Sequence, residues 1–211
     1  MHVNDGDVGA AQAASLARVE LLERLQYFKL EPRVVVDLGC GTGENAAALR
    51  RRFPRARVIA VDRDLAMTQE ARRGQRFWRR FDCVCADARA LPFAAQSADL
   101  VFCNLLLPHC EEPLQLFAEV QRMLRSTGLL LFATLGPGTA PQLPDMPRLG
   151  AALGAAGLAE PVMDRELVSG CELIYGAAFA GRRAAAATAH DADDAGEALV
   201  PLSSLRRRPR P

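Results

Sequence analysis

Hydrophobic positions along the chain follow two alternating patterns. Five short runs are apolar at nearly every position and rich in branched residues, which is typical of strands buried on both faces of a parallel sheet. Between them, apolar residues recur every three or four positions, which predicts helices. The predicted strands are residues 34–36, 58–61, 81–85, 100–103 and 129–132, and the predicted helices are residues 10–28, 44–52, 65–80, 112–125 and 146–156. This alternation is that of a doubly wound α/β sheet.

The ends of the chain add a first helix, two late strands and a tail to this central pattern. In the first predicted helix, Leu16, Val19, Leu22 and Leu25 form an apolar stripe that Leu21 and Phe28 widen, and we expect this face to be used for packing. Two further strands are expected around residues 158–163 and 172–179. We therefore predict one domain over residues 1–180, followed by an alanine-rich linker and basic tail over residues 181–211.

Composition narrows the class of protein. With 211 residues, 50% hydrophobic and 24% charged, the chain has the make-up of one globular domain. Its 26 basic and 25 acidic residues nearly cancel, which argues against a nucleic-acid binder. No apolar run approaches a membrane span and no leader pattern opens the chain, so we expect a cytoplasmic protein without a membrane partner. The six cysteines and three histidines lack metal-ligand spacing, so no metal site is expected.

The most informative motif follows the first predicted strand. Residues 36–44 read Val-Asp-Leu-Gly-Cys-Gly-Thr-Gly-Glu, with Gly39, Gly41 and Gly43 at alternate positions that let the backbone turn sharply beside a ligand. A dinucleotide fingerprint would place the third glycine one residue later. Because Asp37 and Glu44 would repel phosphate, this glycine loop favours S-adenosylmethionine, whose amino group and sulfur are positive.

Polar residues at the ends of later strands extend this prediction. Asp62 closes the second strand, where a carboxylate can accept hydrogen bonds from ribose hydroxyls. Asp87 and Ala88 follow the third strand and are candidates for contact with adenine, and Asn104 ends the fourth strand at the same edge of the sheet.

In order, these motifs resemble the class I S-adenosylmethionine-dependent methyltransferases over roughly residues 20–180. The matching segments read DLGCGTG, VIAVD, ADARALPF, SADLVFCN and FAEVQRMLRSTGLLLF. The resemblance implies a Rossmann-like sheet of seven strands, parallel except for one antiparallel strand, with helices on both faces.

A narrower likeness lies in LLERLQYFKLEP before the glycine loop, CNLLL after the fourth strand and TLGPGT after the fifth. These segments resemble the malonyl-[acyl-carrier protein] O-methyltransferases of biotin synthesis. The resemblance implies methylation of a malonyl carboxylate on an acidic acyl-carrier protein. Residues 50–80 hold 11 arginines against 3 acidic residues, which suits such a partner or an ordinary solvated helix face.

The acceptor half departs from that family. Residues 1–15 contain neither Tyr nor Phe and so lack its usual Tyr-Asp pair. The segment between Thr139 and Asp145 is short, and Pro108-His109 replaces its usual Gln-Trp. Asn104 and His109 are the only candidates for a catalytic role. Two alternatives therefore stay open: a methyltransferase for a quinone or phenolic acceptor, which would use His109 as a base, and a degenerate cofactor-binding protein without catalysis.

Overall fold

Seven strands form one sheet in the computed structural model, which describes residues 5–75 and 80–181, with side chains from residue 12 onward. The strands are β1 (Val34–Leu38), β2 (Arg57–Asp62), β3 (Asp82–Cys85), β4 (Ala98–Asn104), β5 (Leu124–Leu135), β6 (Leu158–Val168) and β7 (Cys171–Ala180). The helices are α1 (Asp5–Arg24), α2 (Glu44–Arg52), α3 (Leu65–Arg73), α4 (Pro113–Met123) and α5 (Met146–Ala155), with 3-10 turns at Leu25–Tyr27 and Leu107–His109. Most of the predicted tail, residues 182–211, lies outside the described residues.

The strand order is β3-β2-β1-β4-β5-β7-β6. Strands β1 to β5 pair in parallel, whereas β7 is antiparallel to both β5 and β6. A two-residue turn joins β6 to β7, and its residues Ser169 and Gly170 both have positive φ, as in a type I′ hairpin. Strand β7 therefore runs antiparallel to β6. The seven-stranded sheet with one antiparallel strand is confirmed.

Hydrophobic cores cover both faces of this sheet. On one face the central strands pack against α4 and α5, and on the other against α1, α2 and α3. Strand β1 shows the division, since Val36 and Leu38 join the first core and Val35 the second. The all-apolar strand runs therefore reflect burial on both faces.

The predicted face of α1 is wrong in part. Leu16 and Val19 are 37% and 49% exposed, and the buried row at this helix is Ala13, Ala17 and Leu21. Residues four apart form a row along a helix, and alanines in that row allow the helix axis to come close to the sheet. Among the described residues, no helix is long and apolar enough to cross a membrane.

An ion cluster fixes the end of α1. Arg24 is only 4% exposed, donates to Asp164 at 2.8 Å and lies 3.6 Å from Glu166, both on β6. Its guanidinium also lies 4.3 Å from the centroid of the Tyr175 ring. The helix is thus held by a buried cation as well as by its apolar row.

Candidate active site

A cavity of about 940 Å³ lies at the carboxyl ends of the parallel strands. It includes the point between β1 and β4 where the strand order reverses, which is where open α/β sheets bind ligands. Seven of the predicted site residues line it: Gly39, Gly41, Asp62, Asp87, Ala88, Asn104 and His109. Asp37, Gly43 and Glu44 are not among its lining residues.

The glycine loop has the backbone that its composition predicts. Gly39 and Gly41 have φ of 75° and 51°, in the left-handed region that favours glycine. A Cβ at Gly39 would lie 3.0 Å from Leu106, whereas a Cβ at Gly41 would meet no atom within 4 Å. A side chain at Gly39 would thus meet both an unfavourable φ and a tight contact with Leu106, while Gly41 leaves a wall of the cavity open to a ligand.

Asp62 holds this loop in place. Its carboxylate accepts hydrogen bonds from the Gly41 amide at 2.9 Å and from the Asp64 amide at 3.0 Å. A carboxylate has about four lone-pair sites, so Asp62 can still accept from two ribose hydroxyls. The Asp62 side chain can therefore both fix the glycine loop and bind the ligand.

Asp37 lies beneath the loop, fully buried, rather than in the cavity wall. Burial raises its pKa to about 7, and the Asp62 carboxylate adds to the increase. The Ala46 backbone and the Asn45 side chain oppose the shift, although neither makes a hydrogen bond of normal geometry to its oxygens within the described residues. The sequence identified Asp37 as a candidate cofactor-binding residue but did not predict that its side chain is fully buried.

Glu44 and Gly43 have roles outside the cavity. The side chain of Glu44 is 68% exposed and forms an ion pair with Arg18 of α1. Gly43 precedes α2 with φ of 85°, and a Cβ there would lie 2.9 Å from the Cβ of Ala71. Glu44 is therefore paired with a cation of α1 and lies outside the cavity lining, and its contact with the cofactor stays a prediction.

Asp87 is paired with Arg89. Both of its oxygens accept from the Arg89 guanidinium, which holds the pKa of Asp87 at about 2. Any adenine amine at this position would share the carboxylate with Arg89.

Helix α1 forms a wall that the sequence did not predict. Ala13 and Ala14 line the cavity, and the Asn104 side-chain amide donates to the Ala14 carbonyl at 3.0 Å. The Asn104 Oδ1 is buried and has no hydrogen-bond partner within the described part of the chain. A ligand that donates a hydrogen bond to this buried oxygen would remove the free-energy cost of leaving it unpaired.

The opposite end of the cavity is mainly apolar. After β4, Leu105 has φ of 55°, an uncommon conformation for a branched side chain. Leu135 ends β5, Thr139 follows it, and Cys171 begins β7. Sequence reasoning missed these three positions, although Cys171 directly precedes a predicted strand, and Leu135 and Thr139 lie in the TLGPGT segment. Exposed His109 completes this side, on the 3-10 turn after β4.

These residues fit S-adenosylmethionine. The open face of Gly41, the acceptor oxygens of Asp62 and the unpartnered Oδ1 of Asn104 suit a ligand rich in donors. The carboxylates of Asp62, Asp64 and Asp87 suit its positive charge. No group of three or more potential metal ligands occurs among the described residues.

The chain has the class I methyltransferase fold, and residues 36–132 match the family described as a methyltransferase domain. The sequence is 38% identical to the malonyl-[acyl-carrier protein] O-methyltransferase of Gallionella capsiferriformans over 72% of this chain and 60% of that protein. It is also 38% identical to the enzyme of that name from Methylovorus, over 77% of this chain and 64% of that protein. The chain thus spans a little under two thirds of the length of these relatives.

Solved structures support the fold at low sequence identity. A phosphoethanolamine N-methyltransferase of Haemonchus contortus, in complex with S-adenosylhomocysteine, has a TM-score of 0.66 at 17% identity, covering 78% of this chain and 52% of that one. The [4+2]-cyclase SpnF has a TM-score of 0.63 at 19% identity, covering 80% and 81%. Because a methyltransferase and a cyclase share this fold, the fold alone does not decide the reaction.

Gly41→Ala is expected to weaken S-adenosylmethionine binding about tenfold, because its methyl group would enter the cavity wall. Gly170→Ala is the matched control: its φ is also positive, at 82°, no atom lies within 4 Å, and it does not line the cavity. Both variants should lose about 1 kcal/mol of stability from the left-handed backbone. Calorimetric titration with the cofactor checks this, and equal affinities for the two variants would contradict the assignment of Gly41.

Proposed function

We propose that this chain transfers a methyl group from S-adenosylmethionine to the free carboxylate of a malonyl thioester carried by an acyl-carrier protein. The observation that carries the proposal is the 38% identity to enzymes named for this reaction, over more than 70% of the chain. The supporting geometry is a cavity that joins the glycine loop to a mainly apolar acceptor end.

The acceptor end suits a nucleophile that is already ionised. A malonyl carboxylate has lost its proton at pH 7, so its attack requires alignment and removal of water rather than a base. Ala13, Ala14, Leu105 and Leu135 present apolar surface to the cavity, and Arg89, which lines it too, is paired with Asp87 and Glu112. The acceptor carboxylate would keep its nucleophilicity because these acidic partners already engage the Arg89 guanidinium.

When bound, S-adenosylmethionine would supply an electrophilic methyl group on a positively charged sulfur. Asp62 and the glycine loop would hold the ribose, and Asp87 and Ala88 the adenine. The acceptor carboxylate would approach from the side of β4 and β5, with Asn104 between the two halves of the site. Acceleration would come from orientation and desolvation.

Arginines at the amino ends of the strands are poorly placed to deliver an acceptor. Arg57 pairs in register with Val34 at the start of β1, and Arg50 donates to the carbonyl of Arg80, just before β3. These residues lie at the amino edge of the sheet, whereas the cavity lies at the carboxyl edge, about 15–20 Å away along a strand of five to six residues. A carrier presenting its thioester to the cavity would dock at the other edge, where Arg63 and Arg89 lie.

The proposal is tested by incubating the purified protein with labelled S-adenosylmethionine and malonyl-carrier protein. A base-labile methyl ester on the carrier is the expected product. Acetyl-carrier protein, which has no free carboxylate, is the matched control and should remain unlabelled. Cofactor binding without transfer to the malonyl form would overturn the proposal.

His109→Ala separates this reaction from methylation of a phenol or quinone. With a carboxylate acceptor we expect kcat within about threefold of the unmodified protein, since no proton is removed. A phenolic acceptor needs a base, whose removal costs roughly 100-fold or more. Steady-state kinetics with malonyl-carrier protein decide between them, and a loss of the larger size would favour the alternative acceptor.

A further inference from the structure

Glu172 makes an unusual set of contacts at the acceptor end of the cavity. It is the second residue of β7 and faces the connector that follows β5, defined here as residues 136–140. Its carboxylate accepts from the Gly138 amide, and its carbonyl accepts from the Gly136 amide at 2.9 Å. Its own amide donates to the Thr139 hydroxyl. One residue thus holds the connector at three positions.

The connector packs directly on this side chain. A Cβ added to Gly136 or Gly138 would lie 2.5 or 2.7 Å from Glu172 Oε2, so a side chain at either position would displace this carboxylate. The Glu172 side chain is only 16% exposed. Its other oxygen lies 3.4 Å from Arg165, a side chain that is 69% exposed and contributes little to holding the connector.

The connector brings Thr139 into the cavity wall beside Cys171 and Leu135. The predicted cofactor contacts of Asp62 and Asp87 come from β2 and β3, on the other side of β1. The part of the cavity between β4 and β7 therefore remains for the methyl acceptor.

We infer that Glu172 is a positioning residue for the methyl acceptor: it holds the connector against the start of β7 so that Thr139 forms a wall of the acceptor end. The inference rests on the proposed function. A connector with two glycines in five residues loses much conformational entropy when it is ordered, and the Glu172 bonds offset that cost before the acceptor arrives. Glu172 does not contact the cofactor end, so its removal should act on the acceptor alone.

The test compares Glu172→Ala and Glu172→Gln with Arg165→Gln, which removes the ion pair and leaves the connector bonds. Glu172→Ala removes the carboxylate that accepts from the Gly138 amide and leaves the two connector bonds made by the Glu172 backbone. We expect the KM for malonyl-carrier protein to rise about tenfold, as for the loss of one charge-assisted hydrogen bond, with kcat within about threefold. Affinity for S-adenosylhomocysteine should stay within about twofold. Glu172→Gln, which keeps one acceptor oxygen, should fall between, and Arg165→Gln should match the unmodified protein.

Hydrogen exchange provides a readout that needs no acceptor. The amides of Gly138, Thr139 and Ala140 should exchange about tenfold faster in Glu172→Ala. If that variant does not fold, Thr139→Val removes the hydroxyl bonded to the Glu172 amide and should shift KM and exchange in the same direction.

Two outcomes would overturn the inference: an unchanged KM in a variant whose connector exchanges faster, or a parallel loss of cofactor affinity and acceptor KM. Failure of the proposed function is distinguishable, because the unmodified protein would then transfer no methyl group to malonyl-carrier protein.

Discussion

Asp37→Asn is expected to flatten the dependence of stability on pH. The pKa of Asp37 is about 7 in the folded protein and near the ordinary aspartate value of 3.8 in the unfolded chain. Between these values the folded state keeps a proton that the unfolded state releases, so the free energy of unfolding falls as pH rises. Below pH 3.8 both states are protonated, and above pH 7 both are ionised, so the loss is confined to that window.

The variant cannot titrate, so its stability relative to the unmodified protein should rise by about 2 kcal/mol between pH 5 and pH 7. Urea unfolding at several pH values measures this difference. Only the slope is compared, because the new amide changes the absolute stability by its own burial. Glu160→Gln alters an exposed carboxylate and should keep the original slope. Parallel curves for Asp37→Asn and the unmodified protein would contradict the buried, raised-pKa description.

Asp62→Ala is expected to weaken S-adenosylmethionine binding by about 1–3 kcal/mol, roughly a 5- to 150-fold increase in Kd. The change removes the acceptor predicted for the ribose and also releases the Gly41 amide from its 2.9 Å hydrogen bond. Asp62→Asn keeps one acceptor oxygen and should lose less. Calorimetric titration measures both variants.

Asp82→Ala is the control for that experiment. Asp82 starts β3 at the amino edge of the same sheet and pairs with Arg57, with both side chains largely exposed. Its removal should leave the cofactor affinity unchanged. An affinity of Asp62→Ala equal to that of Asp82→Ala would refute the assignment of Asp62.

The elements could be predicted because their patterns are local. Central strands such as β1 and β4 are apolar at nearly every position, and α4 repeats its apolar residues at helical spacing. The glycine loop was equally readable, since Gly39 and Gly41 adopt positive φ as alternate glycines in a sharp turn suggest. In α1, by contrast, two alanines are buried against the sheet while Leu16 and Val19 are exposed, because small side chains allow the helix axis to come close to the sheet.

The site residues that could be predicted are those that lie at the end of a strand or just after it. Asp62, Asp87 and Asn104 each end or follow a parallel strand, and parallel strands bring their carboxyl ends to one edge. Thr139 and Glu172 carry no such signal, because their pairing joins positions 33 residues apart in sequence.

The sequence by itself therefore determined the class of fold, the strand ends that meet at the cavity and the cofactor that suits them. All of these depend on periodicity and on short motifs. The tertiary structure alone decided which charges meet. It buried Asp37, paired Glu44 with Arg18 and placed Glu172 beneath the connector. Burial and ion pairing depend on distances between remote segments, which side-chain packing fixes only once the sheet and helices have assembled.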